Sequence, residues 1–85
     1  LRLTVRYFAG ARAAAGVTDE SFELSGDAAT VASAIEAVRA RHGDRLARVL
    51  PACSFLLDGV AVRNHDTTLV SAGAQLDVLP PFAGG

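Results

Sequence analysis

The chain has 85 residues, 51% of them apolar, and a formal net charge of −1 at pH 7. That length supports one hydrophobic core and no second domain, and the near-neutral balance argues against a nucleic-acid partner, which would call for a basic surface. A single cysteine, Cys53, excludes an internal disulfide and fits a reducing, cytoplasmic setting, while no apolar run approaches the ~20 residues of a membrane span.

The opening "LRLTVRYF" alternates. Leu1, Leu3, Val5 and Tyr7 face one way, and Arg2, Thr4, Arg6 and Phe8 the other, which predicts a strand with one covered and one open face. It has neither a signal-peptide h-region nor an initiator Met, so a processed or trimmed start is expected. "AGARAAAG" predicts a short helix stopped by Gly16 in the left-handed region. "TDESFEL" reads as a second strand with Phe22 and Leu24 inward, and "SGDAA" as a turn. Thr30 is placed to cap a helix over "VASAIEAVRARHG", whose Val31, Ile35 and Val38 share one face and whose end falls at Gly43. "DRLARVLP" predicts one further turn, stopped by Pro51.

"SFLLDGVAV" reads as strand, Asp58-Gly59 turn and short strand. "RNHDTT" is loop, Leu69 and Val70 form a brief apolar anchor, and "QLDVL" alternates with Leu76 and Val78 inward. Pro80 and Pro81 then end regular structure, because neither can donate to a sheet ladder. The order β, β, α, β, short β, β describes an α+β fold: a mixed sheet with one main helix on one face. Pairing the two cleanest alternators, the first and last strands, at the centre brings Phe8 and Leu79 together on the open face. Residues 1–79 are the expected domain and residues 80–85 an extended, flexible tail.

The tail "PPFAGG" has its own chemistry. Gly84 and Gly85 fit a slot that excludes any Cβ. Pro80 and Pro81 stiffen the approach, and the six residues past Leu79 reach roughly 20 Å. A terminal carboxylate on a thin tip suits delivery into another protein's active site. Adenylation would make it electrophilic, and a sulfur nucleophile displacing AMP would leave a thiocarboxylate, held to an acceptor at high effective concentration.

Other residues read more plainly. Cys53 is a small core residue. His42, at a helix end, complements the helix dipole, and His65 lies in a loop; neither has a partner at metal-ligand spacing, so no metal site is expected. Arg39, Arg41, Arg45 and Arg48 form a solvated helix face, partly matched by Glu36 and Asp44. Arg12, taken as loop beside Phe8, is a better candidate for partner contact. Phe8 and Phe82, beside the stalk, favour docking over plain packing. All eight basic residues are arginine, so no lysine of this chain can form an isopeptide with a second copy.

Three stretches, "RYFAGARAAAG", "LLDGVAV" and "DVLPPFAGG", resemble the small, sulfur-carrying subunit of molybdopterin synthase, within the MoaD/ThiS family of ubiquitin-like β-grasp sulfur carriers. The resemblance implies a non-catalytic subunit with no permanently bound cofactor. An E1-like enzyme would use ATP to adenylate Gly85, and a sulfur donor would convert it to a thiocarboxylate. Ala83, Gly84, Phe82, Pro81 and Pro80 would enter the large subunit, where sulfur passes to a pyranopterin precursor of molybdopterin. It implies docking through Phe8, Ala61 and Leu79, with Arg12 beside them, in a heterotetramer of two small and two large subunits. Ala61 is smaller than the usual family residue, and Asp58 stands where the family usually has Asn. Carriers for thiamine or cysteine synthesis, a protein tag, and a β-grasp interaction module with an inert tail are the alternatives.

Overall fold

The computed structural model describes residues 1–81; the tail expectations for Phe82, Ala83, Gly84 and Gly85 lie outside the described residues. In chain order the elements are β1 (Arg2–Tyr7), α1 (Ala9–Ala15), β2 (Asp19–Glu23), β3 (Ala29–Thr30), α2 (Val31–His42) and α3 (Asp44–Val49). A 3-10 turn (Leu50–Ala52) leads to β4 (Ser54–Leu57), β5 (Val60–Val62), β6 (Leu69–Val70) and β7 (Ala74–Leu79). Five strands form one sheet in the order β2-β1-β7-β4-β5. The first and last strands run parallel at its centre, and the other three pairings are antiparallel.

Alternation decides which side of the sheet is covered. Leu3, Val5 and Tyr7 of β1, Leu76 and Val78 of β7, and Phe55 and Leu57 of β4 are buried on one face. Against them pack Val31, Ala34, Ile35 and Val38 of α2. The main helix therefore covers one face, and the shorter α1 and α3 add Ala11 and Leu46 to the same core. Full burial of a residue such as Leu3 or Val5 contributes on the order of 1.5–3 kcal/mol.

The helix ends follow their expected chemistry. Thr30 and Ser33 form a capping box, with Thr30 Oγ1 accepting from the Ser33 amide at 3.1 Å and Ser33 Oγ from the Thr30 amide at 3.0 Å. Gly16 closes α1 in the left-handed region at φ 80°.

Two features differ from expectation. α3 ends at Val49, before Pro51 as expected, but the helical path continues as the 3-10 turn, with Pro51 near its start, where a missing N–H is tolerated. Leu69 and Val70 are a strand, paired antiparallel with Ala29 and Thr30 in a separate two-stranded sheet. Beside that ribbon, the carbonyls of Thr68 and Asp66 accept the Val31 and Ala32 amides, so the loop before β6 satisfies the first donors of α2.

Candidate functional site

The uncovered face of the sheet carries Phe8, Leu79 and Ala61 of the residues singled out in sequence. Parallel pairing sets Tyr7 beside Val78, and the Phe8 amide donates to the Val78 carbonyl at 3.2 Å. Continuing that register carries Phe8 alongside Leu79, at the end of the sheet from which Pro80 departs. Phe8 and Leu79 are both half-buried. Phe8 also ends β1 and caps α1: its carbonyl accepts from the Ala11 and Arg12 amides. Ala9 turns the chain at φ 47°, a conformation costing a non-glycine residue about 1–2 kcal/mol.

Arg12 is not in a loop. It lies on α1, exposed, with Nε donating to the Tyr7 carbonyl at 3.4 Å. The alanine-rich stretch begins its helix immediately after Phe8, which carries Arg12 into it. Pro80 is half-buried and Pro81 exposed.

Ala61 is exposed on β5, two strands from β7. The register aligns it in one row across all five strands, in the order Asp19, Arg6, Asp77, Leu56, Ala61. Leu56 was not singled out from sequence. Its place between the inward Phe55 and Leu57 was the available signal, obscured because three apolar residues stand in succession. Arg6 and Asp77 also escaped notice, since the two are 71 residues apart. Arg6 Nε and Nη2 donate to Asp77 Oδ1 and Oδ2 at 2.8 and 3.0 Å, a bidentate fork in the middle of the open face. Arg6 also lies over Phe8, its guanidinium carbon 5.4 Å from the ring centroid.

A second polar cluster sits on the covered side. Tyr7 Oη donates to Glu20 Oε2 at 2.6 Å, and His42 Nε2 contacts that same oxygen. Arg41, exposed on α2 as expected, also reaches β2: Nη1 donates to the Ser21 carbonyl at 2.8 Å and to Glu20 Oε1 at 3.3 Å, and its guanidinium stacks 3.6 Å over Phe22. His42 likewise does more than face a helix terminus, packing edge-on against Tyr7 with ring centroids 5.6 Å apart. Partial burial pushes the Glu20 carboxyl upward, but hydrogen bonds from Tyr7 and His42, with the nearby Arg41, outweigh it and hold it below its usual range. Burial, then the bond to Glu20, raises the Tyr7 phenol well above its ordinary value. The cluster ties β1, β2 and the end of α2 together.

Cys53 is half-buried and donates to the Val49 carbonyl, and burial raises its thiol. Among the described residues, no group of three or more His, Cys, Asp and Glu side chains is placed to hold a metal, and no helix is long and apolar enough to cross a membrane.

This mixed sheet grasping one main helix is the ubiquitin-like β-grasp, and similar solved structures agree. SAMP1 from Haloferax volcanii superposes with a TM-score of 0.82 at 27% identity, covering all of both chains. A complex of subunits 1 and 2 of the molybdopterin-converting factor from Helicobacter pylori contains a chain alike in fold, with a TM-score of 0.69 at 19% identity and full coverage of both. In sequence, the molybdopterin synthase sulfur carrier subunit of Chlamydomonas reinhardtii is 34% identical over 85 residues, again the whole of both chains. The ThiS family profile matches residues 5–85, and the chain belongs to that family.

Proposed function

We propose that the chain is a sulfur carrier, the small subunit of a molybdopterin synthase, with Gly85 as its working group. The full-length relationship to the Chlamydomonas sulfur carrier subunit carries this reading. Physically, the last strand ends at Leu79 and leaves six residues beyond it. An E1-like enzyme in the cytoplasm uses ATP to adenylate the Gly85 carboxylate, releasing pyrophosphate. Sulfide-level sulfur (HS⁻) then attacks the acyl carbon, the acyl–phosphate bond breaks, AMP leaves with loss of a proton, and a thiocarboxylate remains. Phe8, Leu79 and Ala61, with Arg12 at the edge, dock the large subunit, so that Pro80 to Gly84 thread the terminal sulfur toward a pyranopterin precursor. A heterotetramer of two small and two large subunits is the expected assembly, and the Helicobacter complex of subunits 1 and 2 supports a partner of that kind.

The test is intact mass after incubation with the activating enzyme, ATP and a sulfur source. The expected result is the gain of one oxygen-for-sulfur exchange, absent when Gly85 is deleted. An unchanged mass in the full chain would overturn the reading. The likeness to SAMP1 motivates a second reading, a protein modifier joined through Gly85 to lysines of other proteins. Stable amide conjugates in cell extracts would favour it.

A further inference from the structure

The row Asp19, Arg6, Asp77, Leu56, Ala61 crosses the open face next to Phe8 and Leu79. Within it the Asp77 side chain is only 8% exposed and both its oxygens are taken by Arg6, whose side chain is 43% exposed. A guanidinium has five N–H groups. Two go to Asp77, and the others meet no acceptor among the described residues. In the free protein the exposed edge of the guanidinium leaves them open to solvent. Because the guanidinium lies against Phe8, any partner that covers Phe8 strips that solvent, and donors left without acceptors then weaken binding.

We infer that Arg6, held in place by Asp77, is a specificity-determining residue of the docking face, selecting a large-subunit surface that sets a neutral oxygen acceptor against its outward edge. This rests on the docking reading above. The acceptor is a backbone carbonyl or an amide oxygen rather than a carboxylate. The row already places two carboxylates, Asp19 and Asp77, beside one guanidinium, so a third would gain little attraction and meet like charge. Surfaces that lay apolar atoms or a cation there are rejected, which is discrimination by an unmet polar group.

The experiment measures binding of the large molybdopterin synthase subunit from the same genome by calorimetry, with melting temperature in parallel. The double variant Arg6→Leu/Asp77→Leu removes the pair without stranding a charge. It is expected to bind about tenfold more weakly or worse, the loss of hydrogen bonds to a charged group. Arg6→Lys keeps the charge and a partner for Asp77 but loses the planar fork; it is expected to melt close to the parent and still bind several-fold more weakly. If either folded variant bound as tightly as the parent, the inference would fail while the docking reading stood. A parent chain that did not bind the large subunit at all would overturn both.

Discussion

At the scale of single residues, Glu20 is the most informative. It accepts from Tyr7, His42 and Arg41 and is largely covered. Glu20→Gln keeps the shape but loses the charge, and is expected to lower unfolding free energy by about 1–3 kcal/mol, read from urea titrations. The folded carboxyl titrates below its ordinary value of 4.5. Its contribution is therefore complete above about pH 4.5 and fades as the pH falls through the lower folded value. The gap between parent and variant should accordingly be widest near pH 6 and shrink in acid; a gap that widened would contradict the assignment. Alternation in "LRLTVRYF" was enough to turn Tyr7 inward. It could not show that the buried hydroxyl needs an acceptor, because Glu20 and His42 meet only after β2 and α2 have packed.

Among the elements, those marked by a local chemical signal were legible in sequence. Thr30 as a cap and Asp58-Gly59 as a turn needed no knowledge of distant residues. Thr30→Ala should cost about 1 kcal/mol of stability in thermal or urea melts. The β4–β5 hairpin turns through Asp58 at φ 48° and Gly59 at φ 83°, and Asp58 Oδ1 accepts the Gln75 amide at 2.9 Å, fastening the turn to β7. Asp58→Ala loses that bond and strains the left-handed backbone, so a loss of about 1–3 kcal/mol is expected. Asp58→Asn retains an acceptor oxygen and tolerates that conformation, and should stay within about 0.5 kcal/mol of the parent. The β3–β6 ribbon was illegible because two-residue strands have no periodicity to read; only pairing between positions 29–30 and 69–70 defines them.

For the whole molecule, the central pairing of the sheet was accessible because the first and last strands are the cleanest alternators. The open face was only partly accessible. Phe8 and Leu79 followed from alternation, whereas Leu56 and the Arg6–Asp77 fork required the cross-strand register. Under the docking reading, Phe8→Ala should weaken large-subunit binding by about 1–3 kcal/mol in a titration; unaltered affinity would remove Phe8 from the interface. The central strand, β7, is also the last element in chain order among the described residues. Without residues 74–79 the β2–β1 and β4–β5 ribbons have no strand between them, and isolated two-stranded ribbons are marginal in water. The sheet therefore closes only when β7 is in place. A chain cut before Ala74 is therefore expected to lack the closed sheet and to lose its cooperative melt, which ties the folded state to the strand from which the tail departs.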